Sequence, residues 1–174
     1  MKKLAFILSS FIVLTAFTTG FSTWQNDDPH SQLGFTVTHL GISDVSGTFN
    51  DFDVAVKSSK SDFSDATFEL TAKIASIDTR VEARDNHLKS ADFFDVSKYP
   101  TIGFKSTGIK KAGKNRYKLT GDLTMHGITK PVIMDLVYKG TIENPMNKKQ
   151  RQVSRLPVPS NAQISMLVLV FLHQ

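Results

Sequence analysis

The chain reads as an all-β protein built as an antiparallel barrel, and three observations carry that reading. Apolar and polar residues alternate with a period of two in a series of short stretches, residues 33–39 and 66–74 being the clearest. Turn-forming residues separate these stretches at short intervals, as at residues 112–115, so most connections are hairpins. A single stretch, residues 80–89, carries helical spacing. Short strands joined by hairpins build sandwiches or barrels. The barrel is preferred because closure removes exposed strand edges. An eight-stranded barrel is also about the size that holds one slender ligand.

Residues 1–22 stand apart. Lys2 and Lys3 precede an apolar run, residues 4–17, interrupted only by Ser9, Ser10 and Thr15. Gly20 and Ser22 then occupy the third and first places before a cut. This is the pattern of a secretory signal peptide, and the run is short for a membrane span. The mature chain is therefore expected to be periplasmic or secreted, from a bacterium. It has no cysteine, so disulfides and thiol chemistry are excluded and the core alone must hold it together. The formal charge of +5 is misleading, because residues 23–147 carry 15 basic and 16 acidic side chains. A body so close to neutral offers no basic footprint for nucleic acid.

The elements follow in order. Residues 24–31 form a first strand ending in turn chemistry at Asp28-Pro29. On the next strand Leu33, Phe35, Val37 and His39 share one face. Residues 45–56 continue with Phe49, Phe52, Val54 and Val56, and the change of phase across Asn50-Asp51 predicts a bulge or bend. Residues 57–65 read as a polar, serine-rich hairpin loop. Phe68, Leu70, Ala72 and Ile74 then point inward. Asp78 or Thr79 is placed to N-cap a helix over residues 80–89. Phe93-Phe94, flanked by Asp92 and Asp95 and followed by Tyr99-Pro100, fits neither period. It reads as a crossing that drops apolar groups onto one end of the barrel.

Residues 101–107 carry Ile102 and Phe104 inward, and residues 117–125 carry Tyr117, Leu119, Leu123 and Met125, with Gly121 as a bend. Residues 126–131 read as a loop. Val132, Met134, Leu136 and Tyr138 then share a face, and residues 140–143 begin a further strand.

These pieces together resemble a known family. Trp24 with Asp28-Pro29-His30-Ser31, the run from Phe35 to Phe49, and Ala75-Ser76-Ile77-Asp78-Thr79 are the first part of the match. Arg84-Asp85, His87-Leu88-Lys89-Ser90, Phe93-Phe94-Asp95, Tyr99-Pro100 and residues 121–132 complete it. The chain resembles the YceI-like family of secreted, lipocalin-like polyisoprenoid-binding proteins.

The resemblance implies an extended antiparallel eight-stranded barrel over residues 23–146, with an apolar tunnel for a polyisoprenoid or similar long-chain amphiphile. It brings no catalytic machinery and no cofactor beyond that ligand. The lining would come from Phe35, Val37, Phe49 and Phe52, from Phe68, Leu70, Phe93 and Phe94, from Ile102, Phe104, Leu119 and Leu123, and from Met125, Met134 and Leu136. Arg84, Asp85 and His87 would orient a head group, and serve equally well as a structural salt-bridge and capping set. The expected partner is the lipid itself, with transient membrane contact and a dimer both compatible with the pattern.

The C-terminus departs from the family, which ends in a strand containing Arg-Ser-Asp-Phe. Residues 151–160 contain Pro157 and Pro159, and residues 166–172 are an unbroken apolar run. Residues 161–165 can be encoded AAC GCT CAG ATT TCN, and two bases later the same string reads CGC TCA GAT TTC, which is Arg-Ser-Asp-Phe. A frameshift near residue 147 would account for this, leaving an aberrant, poorly ordered tail over residues 147–174 and a barrel without its closing strands. The opposite reading is that the tail supplies a surrogate strand. An independent sequence of the locus decides the frameshift.

A different class remains as the alternative, a secreted enzyme or metal protein. His30, His39, His87 and His126 lack ligand spacing for zinc, which needs three or four converging groups. Asp78, Glu82, Asp85, Asp92 and Asp95 could supply an acid pair, and caps with a wet loop face explain them as well.

Overall fold

The structure, a computed structural model, describes residues 20–143, 145, 150–157 and 164–173; the expected signal segment lies almost wholly outside them. Eleven strands among these residues pair into one antiparallel sheet. They are β1 (Ser22–Asn26), β2 (Gln32–His39), β3 (Ser43–Phe49), β4 (Phe52–Ser58), β5 (Thr67–Lys73) and β6 (Ile77–Asp78). β7 (Thr101–Gly113), β8 (Arg116–Met125), β9 (Ile128–Glu143), β10 (Gln150–Pro157) and β11 (Ile164–His173) follow, with one helix, α1 (Glu82–Lys89), between β6 and β7.

The ladder runs β1-β4-β5-β7-β8-β9-β10-β11 and returns to β1 through Gln25↔His173 and Asn26↔Leu172. Eight strands thus form the ring, which is the expected all-β, lipocalin-like barrel. β2, separated from β1 by the 3-10 turn Asp28–His30, also pairs with β11, from Gln32↔Leu169 to Val37↔Ile164. It carries β3 and the short β6 beyond the ring.

The expected loss of closing strands is corrected by this pairing. β10 pairs with β9 from Gln150↔Glu143 to Arg155↔Val137, and β11 pairs with β10 from Arg151↔His173 to Pro157↔Leu167. Residues 150–157 and 164–173 act as the surrogate strands. Ladder hydrogen bonds come from the backbone, so a run rich in Ile, Val, Leu and Phe can take such a place without the family's side chains. Pro157 falls at the end of β10, where its missing N–H costs least.

Elsewhere local chemistry moves the expected boundaries. Asn50-Asp51 is a bend sending β3 to β2 and β4 to β1 and β5. The loop expected over residues 126–131 shrinks to a two-residue turn, with His126 and Gly127 at φ 52 and 71 and β9 starting at Ile128. Positive φ at both positions gives the hairpin the twist of its strands. Gly121 lies within β8, opposite the register shift between Ser106 and Gly108 of β7. A Cβ there would lie 2.4 Å from Phe104 Cζ and 2.5 Å from Lys105 O, so its bare backbone seats the Phe104 ring. Neither Asp78 nor Thr79 caps α1. Val81 is the N-cap without a side-chain bond, and Asp78 Oδ1 instead accepts from the amide of Arg80 at 2.7 Å.

The buried apolar side chains form one cluster. Trp24, Leu33, Val56, Ile74, Ile102, Tyr117, Leu119 and Leu136 are almost completely buried. The loop over residues 57–65 is polar as expected except at Phe63, which is buried in the same cluster.

Candidate binding interior of the barrel

Strict alternation sets the inner wall. On β5 the buried residues are Phe68, Leu70 and Ala72, with Thr67, Glu69, Thr71 and Lys73 outside. Across the ladder Leu70 faces Val54 and Phe104, and Phe104 faces Leu123. Of the expected lining, Phe49, Phe68, Leu70, Ile102, Phe104, Leu119, Met134 and Leu136 are buried. Phe35, Phe52, Phe94, Leu123 and Met125 are partly buried against them. Val37 is half-buried near the end of β2.

Phe93 is a correction. It is 50% exposed, its ring 4.8 Å from that of His87, so it does not face the interior. The reason lies in the turn that holds the pair. The amide of Phe94 donates to Leu88 O at 3.0 Å and that of Asp95 to Ser90 O at 2.8 Å, with Asp95 at φ 46. Adjacent side chains diverge in such a turn, and only Phe94 reaches the core.

The two ends of the barrel are built differently. At the α1 end, the ring of Phe49 lies 5.4 Å from that of Phe35 and 6.3 Å from that of Phe94. A pocket of about 530 Å³ at the Asn50-Asp51 bend includes Phe49 and Phe52 among polar residues such as Gln32 and Asp51. At the far end, Phe63 lies between Trp24, at 5.8 Å, and Tyr138, at 5.5 Å. Tyr117 Oη donates to Asp62 O at 2.6 Å, and burial pushes this phenol above its ordinary pKa. Sequence reasoning missed Phe63. Its signal was a lone aromatic in a serine-rich loop.

Of the expected head-group residues, Arg84 and Asp85 meet at Thr79 and His87 lies apart from them. Thr79, 1% exposed, sits at the centre of Arg84 and Asp85. Its amide and Oγ1 donate to Asp85 Oδ1 at 2.9 and 2.5 Å. Arg84 Nε donates to Thr79 Oγ1 at 2.7 Å and a terminal guanidinium nitrogen to Thr79 O at 2.8 Å. His87 Nε2 instead lies 3.6 Å from Asp92. Arg84 and Asp85 fasten the chain leading into α1.

The remaining charges order loops. Lys98 lies 2.9 Å from Asp95 Oδ2 and Ser97 Oγ donates to Oδ1 at 2.8 Å, which together hold the Asp95 carboxyl below its usual range. Bonds from Ser58 and Ser59 push Asp65 much further down. His30 pairs with Asp27 at 3.1 Å, and the His126 ring lies 4.6 Å from that of Tyr99. Among the described residues no three His, Asp or Glu converge on one point.

A ring of eight antiparallel strands, with apolar inner faces on β4, β5, β7 and β8 and a helix beside one end, defines a lipocalin-like barrel. The chain belongs to the YceI-like domain family, whose pattern matches residues 24–166, past the boundary expected at residue 146. A UPF0312 protein of Photorhabdus laumondii is 38% identical over 146 residues, covering 83% of this chain and 76% of that one. A UPF0312 protein of Staphylococcus aureus is 43% identical over 126 residues, covering 71% and 70%. The crystal structure of the Campylobacter jejuni YceI protein superposes with a TM-score of 0.68 at 26% identity, covering 79% of this chain and 90% of that one. A polyisoprenoid binding domain from Saccharophagus degradans shares the fold, with a TM-score of 0.63 at 12% identity over 86% of this chain and 97% of that one.

Proposed function

We propose that this protein is an exported binding protein, periplasmic or secreted, that holds a polyisoprenoid or similar long-chain amphiphile inside its barrel for transport, storage or sequestration. The observation that carries the reading is the inner wall itself. Val54, Val56, Phe68, Leu70, Ala72, Ile102, Phe104 and Leu119 are buried along four neighbouring strands without a charged side chain among them. Such a wall recognises a chain through buried area, at about 25 cal/mol per Å² before the costs of association. The shared fold with a polyisoprenoid binding domain supports the same ligand class. Export is supported by Lys2-Lys3 and the apolar run after them. The near-neutral body supports a partner other than nucleic acid, and the ligand class supports transient contact with a membrane. The binding role is proposed in place of catalysis or metal chemistry.

Native mass spectrometry of protein purified from its own host tests this. A long-chain amphiphile released on denaturation, and a mature chain beginning near residue 23, are the expected results. Stoichiometric metal with no lipid would overturn the reading. Phe104→Asp places a carboxylate on the inner wall and is expected to abolish lipid retention in protein whose circular dichroism is unchanged.

A further inference from the structure

We propose that Phe63 is a stopper that closes the far end of the barrel and sets the greatest length of chain the protein can hold, an inference that rests on the binding reading above. The β4–β5 connection is otherwise a polar surface loop, with Ser59, Lys60, Ser61 and Asp62 exposed. Phe63 turns inward, to 4% exposure, as the small Ala66 does at the end of the connection, and Phe63 does so at φ 59. A bulky residue in the left-handed region is strained, and such strain persists only where the surroundings fix it. Here they do. The amide of Phe63 donates to Lys60 O at 3.2 Å and that of Ala66 to Phe63 O at 3.1 Å, making a compact double turn. Asp65 draws the loop's ends together, accepting from Ser58 Oγ at 2.6 Å and from the Ser59 amide at 3.0 Å. Tyr117 Oη fastens the loop to the barrel wall through Asp62 O at 2.6 Å.

The ring so held meets Trp24 of β1 and Tyr138 of β9, from opposite sides of the sheet order. Both lie at the end of the barrel where β4 finishes and β5 begins, which in an antiparallel ladder is the end away from α1. A chain entering from the α1 end would run along Phe104, Leu70 and Leu119 and meet the face of the Phe63 ring with its terminal carbons. An apolar stop leaves room for a chain up to a fixed length, and a longer one must leave carbons in water.

The test is a titration of the full mature protein with prenylquinones of increasing isoprene number, followed by quenching of Trp24 fluorescence and by co-elution. The wild type is expected to gain affinity with each added unit up to a limit and none beyond it. Phe63→Gly removes the ring at a position whose backbone suits glycine, and is expected to move that limit by at least one isoprene unit. Phe63→Leu, the variant to use if glycine loosens the fold, is expected to move it in the same direction by less. An unchanged limit in either folded variant overturns the stopper while leaving the binding reading intact. Failure of the wild type to bind any of the series overturns both.

Discussion

Thr79 shows how one small side chain is fixed and what it fixes in return. Its hydroxyl accepts from Arg84 and donates to Asp85, and its backbone is held at both polar atoms by the same two residues. Buried donors left without acceptors are costly, so Asp85→Ala is expected to destabilise the fold by about 2 kcal/mol in urea titrations. The affinity for a long-chain ligand is expected to stay unchanged, whereas a head-group role for Asp85 would show as a loss of affinity in protein that remains folded. Gly121 makes the opposite point, that an absent side chain can be essential. Gly121→Ala sets a methyl against Phe104 and the carbonyl of Lys105. Overpacking of this kind is expected to cost about 1–3 kcal/mol, read by the same titration. Sequence patterning put Phe104 on an inward face and singled out Gly121, but not the ring packed against it, because a glycine in a strand signals only that something comes close.

At the scale of the element, the β4–β5 loop is a polar knot around one buried aromatic residue. Asp65 has its carboxyl held far below the ordinary value by Ser58 and Ser59. A depressed carboxyl binds its proton more readily in the unfolded chain, so its contribution is fully present above about pH 4 and is lost as pH falls through the folded value. The thermal midpoint of the wild type is therefore expected to drop on acidification below about pH 4. Asp65→Asn should begin lower at neutral pH and show a shallower fall, and an identical pH profile for the two would count against the knot. The Phe93-Phe94 crossing was legible as an element but not in its detail. Hydrophobicity gives both rings the same preference, and only the turn at Asp95 decides that Phe94 packs and Phe93 stays beside His87. The strands were easier, since a period of two is itself the geometry of the pleat. Their ends were not, because β7 and β9 run on through partners that no local pattern reveals.

At the scale of the molecule, closure rests on the last two strands. β10 and β11 bridge β9 to β1 and β2. Ending the chain after residue 149 would leave β9, β1 and β2 with unpaired edges, and exposed edges template aggregation. Such a truncation is expected to elute as aggregate and to lose its cooperative thermal transition, where the full mature chain elutes as a discrete species. A truncated protein that stays soluble and unfolds cooperatively would show that the ring does not need these strands. The frameshift reading is separate, a question for an independent sequence of the locus.

By itself the sequence determined the all-β class, the inward faces of the central strands and the family, since all three are written in local alternation and ordered motifs. The tertiary structure decided which pattern-breaking residues matter and whether the ring closes. Phe63 points inward because a loop tied by Asp65 carries it there, and residues 150–157 and 164–173 take their places by backbone pairing. Ladder hydrogen bonds are nearly blind to side-chain identity. A departure that looked like a defect in the sequence therefore appears as two further strands in the fold.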